Sequence, residues 1–311
     1  WTPGLPAERR PPGAGRRRPE PCVLPRPPMA DARPRDCLLR PCPGAPAVRT
    51  FSAMSKPEFL ASDIHLGAIP RERERAFLDF LEHVGACGGR LLIVGDLFDF
   101  WFEYGEVIPG KHFRVLAALA DLVDSGIPVT LMGGNHDAWG GRFLREEVGV
   151  EFYPDTLRTE IAGRRALIAH GDGVGRGDLG YRILKAVIRS RIATRGFRLL
   201  HPELGMRIAR GASKTEDRAG GDVAAAKNRA RYIEEWAREQ LRLDPELAWV
   251  VCGHAHLPAI HAVEPGRYYL NPGDWINHNS YITVSPAGVP ELHQWTSQAA
   301  RVYPSTSTRS I

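Results

Sequence analysis

Apolar residues in this chain recur in two patterns from about residue 56 onward. Short apolar runs bounded by Gly, Pro or polar residues are typical of buried strands. Five such runs cover 57–61, 90–94, 127–132, 165–169 and 247–252. Residues 71–83 and 113–123 instead place their apolar side chains at helical spacing. Strands that alternate with helices in this way predict a layered α/β domain.

Weaker segments with alternating apolar and polar residues predict a second sheet. They cover 156–161, 259–263, 267–270, 281–284 and 290–294. We expect the two sheets to face each other with helices outside, because each sheet must bury its apolar faces. The predicted fold is therefore a four-layer α/β/β/α sandwich.

Residues 174–244 interrupt the strand and helix rhythm. They carry helical spacing, for example at Leu184 and Ile188, and no strand pattern. We predict a helical cap inserted between two strands of the domain. The range 176–231 holds fourteen basic and five acidic residues. This charge indicates an anionic substrate or an anionic membrane surface, and an ordinary solvated pair of helices is the alternative.

Residues 1–53 differ in composition from the rest of the chain. They contain ten Arg and thirteen of the 26 Pro with few large apolar residues, which predicts a disordered leader. Met54 leads directly into the first strand pattern. We hypothesise that Met54 is the native start and that the leader is upstream sequence translated in frame; a targeting or tethering arm is the alternative. The folded domain is predicted over 54–298 and a flexible tail over 299–311.

The net charge of +5 belongs to the leader. Ten of the 41 basic residues but only four of the 36 acidic residues lie before residue 54, so the remaining chain is close to neutral. A pI near 9.1 therefore gives no argument for nucleic-acid binding. The five cysteines form no paired framework, which favours a reducing compartment. The sequence contains no apolar run of the length that crosses a bilayer.

Asp, Asn or His directly follows each of the five strand patterns. The motifs are Asp63-Ile64-His65, Gly95-Asp96, Gly134-Asn135-His136-Asp137, His170-Gly171-Asp172 and Gly253-His254-Ala255-His256. We expect these groups to gather at one edge of a sheet. Carboxylate, amide and imidazole ligands suit Mn, Fe, Zn or Mg, and the absence of thiolate argues against a Cys-rich zinc site. The ligands are too many for one ion and predict two ions that share a carboxylate.

Taken singly, these motifs have plain structural explanations. Asp63 fits a helix N-cap with a nearby surface His, and Gly95-Asp96 fits a common turn. The His254 and His256 pair is more specific, because two residues in extended geometry can direct both rings to one side. Five such motifs in this order favour the metal site.

The series resembles the calcineurin-like metallophosphoesterase superfamily over residues 57–294. Within it, three features resemble the UDP-2,3-diacylglucosamine diphosphatases of lipid A synthesis: Asp63-Ile64-His65-Leu66-Gly67, Gly95-Asp96-Leu97-Phe98-Asp99-Phe100-Trp101 and the helical insertion after His170-Gly171-Asp172. The resemblance implies hydrolysis of the pyrophosphate bond of UDP-2,3-diacylglucosamine to UMP and 2,3-diacylglucosamine 1-phosphate. It also implies a cytoplasmic protein in peripheral contact with the anionic inner membrane, with an apolar cleft under the cap for the acyl chains.

The resemblance also implies roles for individual residues. One divalent ion would be held by Asp63, His65, Asp96 and His256. The other would be held by Asp96, Asn135, His170 and His254. Mn is the expected metal, with Fe, Mg and Zn as alternatives. Asn135 would also face the substrate, and His136 would stabilise the transition state or act as general acid. Asp137 and Asp172 would orient imidazoles through their free N–H groups.

Further residues are implied to contact the substrate. Asp178 and Tyr181 would contact the glucosamine phosphate; alternatively, Asp178 caps the next helix and Tyr181 packs. Further phosphate contacts would come from Arg210, Ser213 and Lys214. The element 271–275 would lie beneath the site in a structural role.

His136 stands where many of these diphosphatases have Arg. This difference leaves open another metallophosphoesterase that acts on a soluble phosphodiester, nucleotide or phosphoprotein. A non-catalytic interaction module is a third alternative, although no predicted ligand is missing.

Overall fold

The computed structural model describes residues 56–105, 107–174, 185–187, 189–212, 223–296 and 299–302. Within these residues the strands are β1 (Glu58–Ala61), β2 (Arg90–Ile93), β3 (Val129–Met132), β4 (Glu151–Tyr153), β5 (Leu157–Ile161), β6 (Arg164–Ala169), β7 (Trp249–Cys252), β8 (Ala259–Glu264), β9 (Arg267–Asn271), β10 (Ser280–Val284), β11 (Pro290–Thr296) and β12 (Ala299–Val302). The helices are α1 (Arg71–Cys87), α2 (Phe113–Asp124), α3 (Arg142–Glu146), α4 (Arg191–Arg198), α5 (Pro202–Ala212) and α6 (Val223–Leu243).

The strands form two sheets. The larger sheet has the order β12-β11-β10-β1-β2-β3-β4, and the smaller has the order β5-β6-β7-β9-β8. Strands β1 to β4 are parallel to one another, as are β6, β7 and β9. The carboxyl ends of parallel strands lie at the same edge of a sheet, so each sheet presents its strand-end motifs together.

The sheet membership of β10 and β11 was predicted wrongly. Both were expected in the second sheet, but β10 pairs antiparallel with β1 through Leu60 and Ile282, and β11 pairs with β10. Alternation of apolar and polar residues gives the faces of a strand and not its neighbours. The expectation of a single sheet edge was also wrong, because the predicted metal ligands follow β1, β2 and β3 in the larger sheet and β6 and β7 in the smaller sheet.

Three apolar clusters account for four layers. Phe59 of β1 packs with the side chains of α1 and α2, whereas its neighbour Leu60 points between the sheets. In the smaller sheet, Ile168 points between the sheets and Leu167 packs against Ile233 of α6. Because side chains of a strand alternate between its two faces, a continuous apolar strand buries both. The predicted α/β/β/α arrangement is confirmed.

Some elements were not predicted. The sequence did not predict the short strand β4 and helix α3, because three to five residues are too few to show a periodic pattern of apolar side chains. Residues 299–302 were expected in a flexible tail, but they form β12, which pairs antiparallel with β11. The predicted leader, residues 1–53, lies outside the described residues.

Candidate metal centre

Five of the predicted ligands have an unusual backbone conformation. The φ angles of Asp63, His65, Asp96, His254 and His256 lie between 52° and 63°. Residues with a Cβ rarely adopt this left-handed region, because it costs on the order of 1 kcal/mol or more per residue. Residues in this conformation are concentrated at functional sites. Hydrogen bonds between loops hold it, because Asp63 N donates to Gly95 O at 3.1 Å and His65 N donates to Asp96 O at 3.0 Å.

The glycines of the motifs permit close approach of the loops. A Cβ on Gly134 would lie 2.0 Å from Asp96 Oδ1, and a Cβ on Gly253 would lie 2.0 Å from Ser62 Oγ. A Cβ on Gly95 would meet the ring of His170. These contacts explain why Gly directly precedes Asp96, Asn135 and His254 in three of the motifs.

Ligand atoms converge in two clusters. Asp63, His65 and His256 form the first, in which His256 Nε2 lies 3.3 Å from Asp63 Oδ1. The second cluster contains Asp96, His170 and His254. In each cluster the ligand atoms lie within 4.8 Å of one another, which is the spacing of groups around one ion.

Asn135 and Asp96 extend the second cluster toward the first. Asn135 Oδ1 lies 3.3 Å from His170 Nε2. Asp96 Oδ2 lies 3.2 Å from His170 Nε2 and 3.7 Å from His65 Nε2 of the first cluster. The other oxygen, Oδ1, accepts a hydrogen bond from His136 N at 3.0 Å. One oxygen of Asp96 is therefore anchored, and the other lies between the two clusters.

Ligand atoms at the centre of the site lack hydrogen bonds. Among the residues the structure describes, no hydrogen-bond partner is found for Asp63 Oδ1, Asp96 Oδ2, His65 Nε2, His254 Nδ1 and His256 Nε2. By contrast, Asp63 Oδ2 accepts hydrogen bonds from Ser62 Oγ at 2.5 Å and from His254 N at 2.9 Å. Buried polar atoms without partners cost about 1–3 kcal/mol each, and coordinated cations remove this cost. The residues present therefore fit a pair of divalent ions.

The first cluster attracts positive charge. Burial opposes the charge of Asp63, but the positive charge of His256 and the neighbouring imidazole of His65 outweigh burial and lower the pKa of Asp63 to about 2. Burial also opposes the charge of His65, yet the nearby carboxylates of Asp63 and Asp99 outweigh it and raise the pKa of His65 to about 9. Protonated imidazole rings thus balance the negative charge of the carboxylates, which bound cations would balance in the same way.

The second cluster behaves in the same way, with one exception. Burial opposes the charge of His170, but Asp96 outweighs it and raises the pKa of His170 to about 10. His254 differs, since burial and the neighbouring charge of His170 together lower its pKa to about 3. A neutral imidazole is the form that binds a metal.

Buried acceptors orient the imidazole rings. The Nδ1 atom of His170 donates to Val94 O at 2.9 Å, and that of His256 is 3.0 Å from Asp274 Oδ2. Both rings consequently present Nε2 to the site. The element 271–275 was expected to be structural, and the specific role of Asp274 was not predicted. One signal in the sequence could have indicated this role: Asp274 is a carboxylate in the turn after β9, at the edge where the ligands gather.

His136 is held beside the first cluster. Its Nδ1 donates to Asp99 O at 2.7 Å, which leaves Nε2 as the nitrogen available to a substrate. Its ring contacts that of His65 edge-on, with 4.8 Å between centroids. Burial is the main cause of a lowered pKa for His136. The role of Asp99 was not predicted from the sequence.

Asp137 has other partners than the imidazole predicted for it, and the predicted role of Asp172 stays a prediction. Asp137 was expected to orient an imidazole, but its carboxylate accepts hydrogen bonds from the backbone N–H groups of Leu97 and Gly134, both at 2.7 Å. Burial and the charge of Asp96 raise the pKa of Asp137 to about 6. Asp137 lies under two ligand loops and therefore reaches their peptide groups before any ring. Asp172 pairs with Lys185, whose Nζ lies 2.8 Å from Oδ2.

The predicted substrate contacts lie largely beyond the described part of the chain. Asp178, Tyr181, Ser213 and Lys214 are outside the described residues, and Arg210 belongs to α5 with its side chain outside the description.

Two adjoining clusters of oxygen and nitrogen ligands with one carboxylate between them are typical of two-metal hydrolases, which include phosphatases and nucleases. The chain belongs to the calcineurin-like phosphoesterase family, whose sequence model matches residues 59–258. It is therefore a metal-dependent phosphoric ester or pyrophosphate hydrolase with a dimetal centre, as the sequence predicts.

Relatives narrow the resemblance within this family. The chain is 31% identical over 240 residues to a UDP-2,3-diacylglucosamine hydrolase of Porphyromonas gingivalis, covering 72% of this chain and 92% of the relative. It is 30% identical over 241 residues to a protein of the same name from Enterobacter, covering 75% and 97%. A third UDP-2,3-diacylglucosamine hydrolase, from Escherichia coli, is 28% identical over 238 residues, and the alignment covers 75% of this chain and 96% of the relative. The similarity spans almost the whole length of each relative.

Proposed function

We propose that this protein hydrolyses the pyrophosphate bond of UDP-2,3-diacylglucosamine. Water attacks the α-phosphorus, the bond from that phosphorus to the bridging oxygen breaks, and the products are UMP and 2,3-diacylglucosamine 1-phosphate. The observation that carries the proposal is the buried double cluster around Asp96 in a chain similar to UDP-2,3-diacylglucosamine hydrolases over more than nine-tenths of their length.

The proposed ligands divide into two sets that share Asp96. The first set is Asp63, His65, Asp96 and His256, and the second is Asp96, Asn135, His170 and His254. Mn²⁺ is the proposed metal, since these oxygen and nitrogen donors suit it. When bound, the two ions acidify water and neutralise charge on the transferring phosphoryl group. The protein holds the ligands in place through the anchored oxygens of Asp63 and Asp96.

His136 is proposed to contact the phosphoryl group through Nε2. The Nδ1 bond to Asp99 O fixes the ring plane, so Nε2 is held in one direction next to the first cluster. A preorganised nitrogen at this position stabilises charge that develops in the transition state without a reorganisation cost. Asn135 is proposed to share this task through its amide group.

The cap is proposed to bind the rest of the substrate. Asp178 and Tyr181 would contact the glucosamine phosphate, and the other phosphate contacts would come from Arg210, Ser213 and Lys214. A cavity of about 500 Å³ lies between Tyr104, residues 107–111 and α5. Ile108 and Met206 supply part of its lining, Lys111 and Arg207 add positive charge, and Glu203 adds one negative charge. Apolar walls with basic groups suit an acyl chain that ends in a phosphorylated sugar.

The outer face of α4 is proposed to rest on the anionic cytoplasmic surface of the inner membrane. Ile192 and Leu199, seven residues apart on one helical face, are 83% and 88% exposed. Arg191, Arg195 and Arg198 are exposed on the same short helix. Exposed apolar side chains among basic ones match an anionic lipid surface. No helix in the described residues is long and apolar enough to cross a membrane.

The test is turnover of defined substrates. Purified protein with Mn²⁺ is expected to release UMP and 2,3-diacylglucosamine 1-phosphate from UDP-2,3-diacylglucosamine, followed by mass spectrometry. Bis-p-nitrophenyl phosphate reports the metal centre separately. If the protein hydrolyses the small diester but leaves the lipid untouched, the lipid assignment is wrong. The same panel then tests soluble nucleotides and phosphopeptides. These are the second candidate class, because His136 stands where many of the diphosphatases have Arg.

A further inference from the structure

Arg189, in the cap, contacts three loops of the core. Its Nη1 donates to Pro154 O at 2.9 Å and to Asp155 Oδ1 at 2.5 Å. Its Nη2 donates to Gly134 O at 2.9 Å and lies 3.9 Å from Asp172 Oδ2. The side chain is only 17% exposed. Both terminal nitrogens are engaged with protein acceptors, so Arg189 acts through these loops and not by touching a substrate.

The contacted loops carry the ligands of the second ion. Gly134 directly precedes Asn135, and Asp172 lies two residues after His170. The first loop follows β3 of the larger sheet, and the second follows β6 of the smaller sheet. A planar guanidinium presents its donors in a rigid fork. Arg189 therefore links two ligand loops that belong to different sheets.

Lys185 reinforces the same connection. Its Nζ lies 2.8 Å from Asp172 Oδ2 and donates to Asp172 O at 3.3 Å. The Asp172 side chain is 3% exposed. A carboxylate this deeply buried requires positive partners, and in the described part of the chain the cap supplies two of them, Lys185 and Arg189.

The first ion's ligands are held differently. Ser62 and the peptide N–H of His254 anchor Asp63, and Asp274 orients His256. These supporting groups belong to the core and not to the cap. Arg189 and Lys185 of the cap thus contact the loops that carry ligands of the second ion.

We propose that Arg189 is a positioning residue that couples the cap to the second metal site, formed by Asp96, Asn135, His170 and His254. The inference rests on the dimetal centre and not on the lipid substrate. Its failure is therefore distinguishable from failure of the substrate assignment, because its test uses metal binding and a small diester.

The experiment titrates Mn²⁺ into metal-free protein by isothermal titration calorimetry. His256→Ala removes a ligand of the first site, so the remaining binding reports the second; His254→Ala isolates the first site in the same way. Groups that support metal ligands typically contribute 10- to 100-fold in affinity. Arg189→Ala is expected to raise the Kd by about that factor in the His256→Ala background and by less than about twofold in the His254→Ala background.

Activity gives a second readout. With bis-p-nitrophenyl phosphate, Arg189→Ala is expected to raise the Mn²⁺ concentration for half-maximal rate by about tenfold or more, with KM for the diester changed by less than about twofold. Arg189→Lys is expected to recover part of the loss, because it keeps the charge near Asp155 and Asp172 but not the fork. Asp155→Asn, which removes the negative charge of one partner of the guanidinium but keeps an acceptor oxygen, is expected to shift the metal requirement in the same direction by a smaller factor.

Arg158→Ala is the matched control. Arg158 forms an exposed pair with Asp244, with 2.7 Å between Nη1 and Oδ2, and its removal is expected to leave both Kd values unchanged. Equal weakening of both sites by Arg189→Ala would overturn the proposal in favour of general destabilisation. Unchanged metal binding with only a lowered Tm would also overturn it. If Arg189→Ala does not fold, Arg189→Lys and Asp155→Asn carry the same test.

Discussion

The ligand loops bury charged side chains, whereas the outer face of α4 exposes apolar ones, and both arrangements are unusual in a folded protein. In the loops, the side chains of Asp63, His65 and Asp96 are fully buried, and polar atoms at the centre lack hydrogen bonds. The apolar side chains of Ile192 on α4 and Leu199 at its C-cap are exposed to solvent. Charged groups are seldom fully buried, and large exposed apolar patches mark interaction sites. Each region is complete only with a partner, cations for the first and, in our proposal, a membrane for the second.

The two regions also differ in their backbone. The ligand loops combine left-handed residues with glycines that tolerate no side chain, so their geometry is fixed in advance of binding. Helix α4 contains Gly196, beside which there is open space. Chemistry thus lies where the backbone is constrained, and the proposed membrane contact lies where substitution is tolerated. The following predictions test this contrast, beginning with the largest expected effect.

Asp96→Ala is expected to lower kcat/KM for bis-p-nitrophenyl phosphate more than about a hundredfold, because it removes the carboxylate between the two clusters. Assays with saturating Mn²⁺ measure the loss. Asp121→Ala, at an exposed position of α2, is the control and should keep full activity. Retention of more than about a hundredth of the rate by Asp96→Ala would contradict the shared role.

Gly134→Ala is expected to cost about 3 kcal/mol of unfolding free energy, since its Cβ would meet both the side chain and the backbone N of Asp96. Gly196→Ala is the matched change in the cap. It should stabilise the protein by about 0.5–1 kcal/mol, because Ala is preferred to Gly inside a helix. Urea denaturation of both variants measures the difference. Similar values for the two would remove the contrast between the regions.

Asp274→Asn is expected to weaken Mn²⁺ binding by about tenfold or more, because the amide loses the charge that orients His256 through Nδ1. Competition with a fluorescent chelator gives the affinity of each site. The loss should be confined to the first site, which contains His256. An equal loss at both sites would show that Asp274 supports the fold in general and does not orient one ligand.

Leu199→Asp is expected to have the smallest effect on the isolated enzyme. Leu199 is 88% exposed, so stability should change by no more than about 0.5 kcal/mol and turnover of bis-p-nitrophenyl phosphate by less than about twofold. Sedimentation with vesicles that contain anionic phospholipid should nevertheless decrease. Glu235→Asp, a conservative change at an exposed position on α6, is the control for vesicle binding. Unchanged sedimentation of Leu199→Asp would exclude this face of α4 as the membrane contact.

Much of the fold is predictable from local patterns. The apolar runs that became β1, β2, β3, β6 and β7 and the helical spacing of α1 and α2 depend on neighbouring residues, and the sequence shows them directly. The placement of β10 beside β1 could not be predicted, because it depends on pairing between segments more than two hundred residues apart.

The candidate site shows the same division. The residues in both clusters follow strands and carry recognisable motifs, so sequence patterns identify Asp63, Asp96 and their partners. The contacts that support these ligands cannot be seen in the motifs, although Asp137 belongs to one of them. Asp274 lies 18 residues from the ring it orients, and Asp137 supports peptide groups 40 residues away. Such contacts depend on how loops of two sheets meet, which is a property of tertiary packing.

Anomalous X-ray diffraction from crystals grown with Mn²⁺ tests the central claim most directly. The account predicts two anomalous peaks about 3.5–4 Å apart, one on each side of Asp96 Oδ2, with His65 beside one and His170 beside the other. A single peak, or a pair of peaks that does not share Asp96, would contradict the account.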